Sequence, residues 1–433
     1  MTDPYRFIAD FHVHSKYSRA TSRDMEPETL ARWAEIKGIK VLGTGDFTHP
    51  TYFAELKAKL EPQSNGLLAL SEGGFRTYFL LTAEVSNIFS EGGRVRKIHT
   101  LIMAPDFETA ERINARLGKM GMLSADGRPT FSFPAKALVK MVLDISVDCL
   151  LVPAHAWTPW FSLFGANSGF DSLEECFGGE SKYIYAIETG LSSDPEMNWR
   201  LSALDSLALI SNSDAHSPNR IGREANVFAG EPNYREILEA IRAKDRGRFL
   251  FTIEFYPEEG KYHYDGHRAC GVVFSPKETQ ANDYLCPVCK KRLTVGVLHR
   301  VESLADRPSG IMPPGGIPAV HLVPLEEIVA AAVEQGVGTV AVEREYERMI
   351  SHGGSEFNIL LDLSPVDLAS FCSPRILEGI LRVREGRLRI IPGHDGVYGK
   401  IDIFGEEEQQ EAPVGERERG QMSLFAREEP LNW

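Results

Sequence analysis

Short apolar runs recur along the first 250 residues, at 5–9, 39–43, 78–83, 149–153, 183–187 and 207–210. Stretches of helical character separate them, as at 28–37 and 134–143, so the pattern predicts an α/β unit built on a parallel sheet or barrel. Polar residues stand in or just after most of these runs: Asp10-Phe11-His12-Val13-His14, Asp46-Phe47-Thr48-His49, Glu84, His99, His155, Glu188 and Asp214-Ala215-His216. The C-terminal ends of the strands are where a (β/α) barrel keeps its chemistry. The alternation breaks over 256–267, where Pro, Gly and aromatic residues precede a small cysteine-bearing unit. A turn-rich loop at 306–317 then leads to helical stretches at 324–335, 342–350, 365–371 and 374–384. From Gly405 the chain is acidic and poor in apolar residues, as a disordered tail would be. The expected units are therefore 1–250, 251–305, 306–404 and 405–433.

Composition changes this picture little. The chain has 433 residues, enough for several domains and a large core, and its 43% hydrophobic content is ordinary for a soluble protein. No apolar run approaches the ~20 residues that span a bilayer, and the N-terminus lacks a charged-then-apolar leader pattern. A cytoplasmic protein with no membrane partner is expected. The net charge of −14 argues against a surface that binds nucleic acid everywhere. Nine acidic and three basic residues in 402–433 account for part of it. Basic patches at Arg94-Val-Arg-Lys97, Lys290-Lys-Arg292 and 382–389 remain open to a phosphate backbone. Cys149, Cys176 and Cys372 read as buried thiols.

The polar series has the composition of a metal cluster. His12-x-His14 places two imidazoles on one side of an extended strand, because alternate residues share a face. Asp214-x-His216 repeats that geometry with a harder ligand, and Glu84 can bridge two ions. A single histidine at a strand end is usually a core residue, but that reading does not cover a whole series of mixed imidazoles and carboxylates. Such donors suit zinc, with magnesium or manganese as alternatives for the catalytic step. Paired ions acidify a bound water and neutralise a phosphoryl oxygen, which favours phosphoester hydrolysis.

Over roughly 6–225 the series resembles the PHP (polymerase and histidinol phosphatase) family, whose motifs appear in order as His12-x-His14 with Asp46, Glu84 with His99, His155, and Asp214-x-His216. The resemblance implies a distorted (β/α)7 barrel with up to three ions at its C-terminal rim. His12, His14, Glu84 and Asp214 would hold one ion. Glu84, His99 and His155 would hold a second, and His216 would belong to a third. Glu84, Asp214 and His216 are the residues expected nearest the chemistry. The chain departs from the family at Phe47 and Ala20, where many members have histidine, so Asp46 or His49 is expected as a substitute ligand. Glu188 is either an outer partner that orients a ligand or a strand-end acid.

Two signals are local. Cys286-Pro-Val-Cys289 and His267-Arg-Ala-Cys270 share one spacing and predict a structural zinc site of three cysteines and one histidine, with His263 and His299 as competing fourth ligands. The loop after His155 carries Trp157, Trp160 and Phe164. It reads either as a plug over the barrel rim or as a stacking platform for a displaced base. In the tail, Gln421-Met-Ser-Leu424-Phe425 is similar to the short peptides that bacterial proteins insert into the DNA sliding clamp; the alternative is a segment that docks on its own chain.

Taken with the stretches 153–160, 261–267 and 392–399, these features resemble the endonuclease Q family over nearly all of 5–400. That resemblance implies a DNA repair endonuclease that nicks 5′ of deaminated bases (hypoxanthine, uracil) and of abasic sites. Two other readings compete: a small-molecule phosphatase of the histidinol-phosphate type, for which the added units would be superfluous, and an inactive clamp- and DNA-binding accessory protein, which the intact ligand set disfavours.

Overall fold

The computed structural model describes residues 5–405. The acidic tail, with Gln421, Leu424 and Phe425, lies outside them. The strands that position the polar series are β1 (Arg6–Asp10), β2 (Val41–Gly43), β3 (Tyr78–Glu91), β4 (Arg94–Ala104), β5 (Leu150–Pro153), β6 (Ala186–Glu188), β7 (Ala208–Ile210), β8 (Ala225–Ala229), β9 (Phe249–Glu254) and β10 (Ala319–His321). Each predicted apolar run therefore contributes a strand. Strands β2, β5, β6 and β7 are buried at every position, as continuous apolar runs require when both faces of a sheet are covered.

One ladder runs β10-β9-β8-β1-β2-β3-β4-β5, and β6 and β7 form a second. Pairing is parallel for β1–β2, β2–β3, β6–β7 and β9–β10. It is antiparallel for β3–β4, β4–β5, β1–β8 and β8–β9. The α/β class thus holds with a mixed sheet. Rim contacts link the two ladders: Ala156, after β5, donates its N–H to the Glu188 carbonyl at 2.9 Å, and Val13, after β1, bridges Ala215, after β7. The polar residues stand at these junctions.

The boundaries expected at 250 and 306 do not divide the sheet unit from the C-terminal part of the chain. Strand β9 straddles the first, and β10, from the unit expected to be helical, pairs with it. Beyond β10, α1 (Leu325–Ala332), α2 (Val340–Gly353) and α3 (Pro374–Glu385) pack together. A buried ion pair fixes this helical unit to the sheet unit: Lys37 Nζ lies 2.6 Å from Glu356 Oε2, which also accepts from Tyr346 Oη at 2.6 Å. The hairpin of Arg389–Ile391 and Lys400–Asp402 turns back onto the cysteine unit, where Tyr264 donates its N–H to the Gly393 carbonyl at 2.9 Å. Among the described residues no helix is long and apolar enough to cross a membrane.

Candidate metal centre

Histidines 12 and 14 come after β1 and are fully buried. His14 Nε2 lies 3.0 Å from Asp214 Oδ1 and 3.4 Å from Glu84 Oε2. His12 Nε2 lies 3.7 and 3.8 Å from the same two oxygens. Glu84 comes from the middle of β3 and His99 from β4; the register pairs Ser86 with His99, which sets Glu84 diagonally across. The other oxygen of Glu84 lies 2.6 Å from His99 Nδ1 and 3.0 Å from His155 Nε2. His216 donates its Nδ1–H to the Asp214 carbonyl at 2.8 Å and packs on His14. Three overlapping groups result, each with donor atoms within 4.8 Å of one another: His12, His14 and Glu84; Glu84, His99 and His155; His14, Asp214 and His216. Residues Asp214 and His155, at strand ends, hold left-handed backbone (φ 48° and 31°), which costs a non-glycine residue free energy and recurs at functional sites.

The donor set fits metal ions. His12 Nε2 is buried without a hydrogen-bond partner, a costly state that a bound ion would relieve. Its Nδ1 is held by both oxygens of Glu188 at 3.0 Å, the outer carboxylate that commonly orients a metal-binding imidazole. Burial pushes the Glu84 carboxyl up, but His99, Arg128, His12 and His14 outweigh it and hold Glu84 well below the usual carboxylate range. Asp214 is likewise raised by burial but held low by His12 and His14. Burial lowers His99 to about 4 despite Glu84 beside it. Anionic carboxylates and a neutral imidazole are the forms that ligate a cation. Burial lowers His12, His14 and His155, but the neighbouring carboxylates outweigh it and hold them above the usual histidine value, so an ion would displace their protons.

Asp46 and His49 do not join these groups, which corrects the expectation of a substitute ligand. Asp46 Oδ1 contacts His14 Nδ1 at 3.1 Å, while its Oδ2 accepts from Ser15 N, Ser15 Oγ and Ser18 Oγ at 2.7, 2.7 and 2.8 Å. It is placed to orient His14 as Glu188 orients His12. His49 caps the helix Pro50–Lys59, accepting from Tyr52 N at 3.4 Å, and stacks on Tyr17.

The aromatic loop divides. Trp157 and Phe164 are buried against each other, and Trp157 Nε1 donates to Asn198 Oδ1 at 2.8 Å. Both are core residues, so neither is placed to stack on a base; the plug reading holds for them. Trp160 is 50% exposed. Sequence reasoning passed over two neighbours of the cluster. Phe161 packs its ring on His99, and Arg128 places Nη1 2.9 Å from Glu84 Oε2. Arg128 lies on a loop remote from every motif, so no spacing signalled it.

The second centre is local. His267, Cys270, Cys286 and Cys289 bring their donor atoms within 4.8 Å of one another. His263 instead stacks on Tyr264, and His299 pairs with Asp265 at 2.7 Å. The Cys-x-x-Cys turn is closed by Lys290 N donating to the Cys286 carbonyl at 2.9 Å, with Lys290 in left-handed backbone. The unit's own core is small: Val272, Cys286 and Leu293.

Comparison with known proteins fits this architecture. Residues 197–245 match the PHP-associated family model, and residues 324–387 match the model of the MJ0043 C-terminal domain. The chain is 29% identical to YqxK of Bacillus subtilis over 414 residues, covering 92% of this chain and 99% of that one. It is 33% identical to MJ0043 of Methanocaldococcus jannaschii over 258 residues, which is 58% of this chain but only 31% of that relative's length. Among solved structures, the lesion-specific endonuclease PfuEndoQ of Pyrococcus furiosus superposes with a TM-score of 0.82 at 31% identity, covering 94% of this chain and 98% of that one. Endonuclease Q in complex with a 27-mer duplex carrying an abasic lesion at the active site superposes with a TM-score of 0.80, also at 31% identity, covering 93% and 97%.

Proposed function

The chain belongs to the endonuclease Q family, and from that premise we propose that it is a metal-dependent DNA repair endonuclease of the cytoplasm, cutting the phosphodiester 5′ of hypoxanthine, uracil and abasic sites. The observation that carries this reading is the buried imidazole–carboxylate cluster with the unsatisfied His12 Nε2. His12, His14, Glu84, His99, His155, Asp214 and His216 would hold the ions. Bound there, zinc (or magnesium or manganese in the working step) would acidify a water and offset charge on a phosphoryl oxygen.

The protein's own groups do the positioning. Glu188 and Asp46 fix the rings of His12 and His14, so these histidines present one nitrogen each to the cluster. Asp214 and His216 have side chains 28% and 34% exposed, whereas His12, His14 and Glu84 are closed off. Substrate therefore enters from the Asp214–His216 side. Trp160 is the exposed aromatic available to stack on a base drawn from the duplex. His267, Cys270, Cys286 and Cys289 would hold a structural zinc. The peptide Gln421–Phe425 would tether the enzyme to the sliding clamp, raising its effective concentration on DNA.

The test is a set of labelled duplexes with one hypoxanthine, uracil or abasic site, beside an undamaged control, incubated with the metal-loaded protein. A nick 5′ of each lesion is expected. Intact lesion strands, or equal cutting of the control, would refute the reading.

A further inference from the structure

We propose that Arg128 is a phosphate-binding catalytic residue, holding a non-bridging oxygen of the phosphodiester at the mouth of the metal cluster. This rests on the reading of the site as a phosphoesterase centre.

The loop 126–130 is built to deliver one guanidinium. Gly127 N donates to the Tyr17 carbonyl at 3.1 Å, Thr48 Oγ1 donates to the Gly127 carbonyl at 3.1 Å, and Ser86 N donates to the Pro129 carbonyl at 3.0 Å. Three separate segments therefore clamp the backbone on either side of Arg128. Gly127 is needed for that approach, because a Cβ there would collide with Asp46 Oδ2 and Ser18 Oγ. Asp46 is the carboxylate that orients His14, so the loop rests directly on the support of the cluster.

The guanidinium carries five N–H donors. Nη1 donates to Glu84 Oε2 at 2.9 Å. The side chain is 27% exposed, against complete burial of Glu84, and its charge acts on both Asp214 and His216, the partly exposed members of the cluster. Among the described residues its other side-chain donors have no hydrogen-bond partner, which leaves them available to a ligand. A planar fork with free N–H groups matches two oxygens of a phosphate. A fixed cation aimed where charge grows on a phosphoryl oxygen acts without reorganising during the reaction. A purely structural role, neutralising Glu84, would use one N–H and would not require a solvent-facing edge.

Arg128→Ala and Arg128→Lys in the full chain separate the two roles. Three quantities are measured: metal per chain, binding of inorganic phosphate to the metal-loaded protein by calorimetry, and single-turnover cutting of an abasic-site duplex and of bis(p-nitrophenyl) phosphate. Metal content is expected to stay at the wild-type level in both variants. Phosphate affinity should fall about 10-fold in Arg128→Ala, as for one lost charged hydrogen bond, and single-turnover rates by about 10²–10³-fold. Arg128→Lys should recover part of each loss. Unchanged phosphate affinity, or metal loss in step with the rate loss, would overturn the proposal and leave Arg128 a support for Glu84. If wild-type protein spares lesion DNA yet cuts the nitrophenyl diester in an Arg128-dependent way, the DNA reading fails and the arginine's role stands.

Discussion

The two clusters of metal-type donors are built in opposite ways. The nitrogen and oxygen cluster gathers residues from His12 to His216, a span of some 200 positions, and buries all of them but Asp214 and His216 at the junction of the two ladders. The sulfur cluster uses His267 to Cys289, two short turns around a core of three residues, with Cys289 exposed. In the first, the scaffold makes the site. In the second, the proposed zinc would make the scaffold, because a unit with so little apolar core would draw its folding free energy from a bound ion. Losing one ligand should therefore remove chemistry in the first case and structure in the second.

A single donor substitution in each centre should separate the two. Asp214→Ala should lose cutting by far more than the ~10–100-fold that losing an outer partner costs, while the melting temperature of the apo protein stays near that of wild type. A collapse in stability would show that the sheet depends on this carboxylate. Cys286→Ser should do the converse: the chain should lose one zinc, and amide exchange across 265–294 should become fast while the strands around His12 stay protected. Slow exchange in that variant would mean the unit folds without its ion. A smaller effect tests the orienting carboxylates. Glu188→Gln keeps the shape but weakens the hold on His12 Nδ1, and metal affinity at the buried cluster should drop ~10–100-fold, with the sulfur site unaffected. Equal affinity in titration with a competing chelator would make Glu188 a mere strand-end acid.

The same contrast governs what could be read from the chain. The sulfur cluster was the easier to expect, because its donors come as two pairs, each with two residues between its members. His12, His14, His155, Asp214 and His216 could be singled out because they follow apolar runs, while Glu84 and His99, which lie mid-strand on an antiparallel pair, rested on the order that a resemblance supplied. Asp46 and His49 were not legible, since a carboxylate beside a histidine is a ligand or its support according to side-chain direction, which sequence does not carry. Trp157 and Phe164 misled for a related reason: an aromatic next to a ligand is equally suited to a core, and here Asn198 and the loop enclose them. Arg128 left no trace because its neighbours Tyr17, Thr48 and Ser86 come from three separate segments. The unit boundaries failed where β9 and β10 join the sheet across them.

The smallest predicted effect concerns pH, and here the two regions should have opposite slopes. Behind the buried cluster, Glu254 accepts from Thr252 Oγ1 at 2.5 Å and from Thr189 Oγ1 at 3.1 Å, next to Glu188. Burial raises its carboxyl to about 8, with Thr252 and His321 pulling the other way. Between the ordinary value of 4.5 and about 8 the folded protein thus keeps a proton that the unfolded chain has lost. Stability from this group is full below that window and declines as pH rises through it. The sulfur site runs the other way. Burial raises the Cys286 thiol, but the amides of Cys289 and Val288 outweigh it and lower it to about 6, while Cys270 is raised to about 11. Thiolates, not thiols, bind zinc, so the proposed ion should be held more tightly as pH rises. From pH 5 to 8, melting of the sheet unit should fall by a few degrees in a way that Glu254→Gln removes, because glutamine mimics the protonated acid. Over the same range, zinc release from the cysteine unit to a chelator should slow. Parallel slopes in both measurements, or a Glu254→Gln variant with the wild-type slope, would mean that the two regions do not differ in the way their burial and ligand chemistry require.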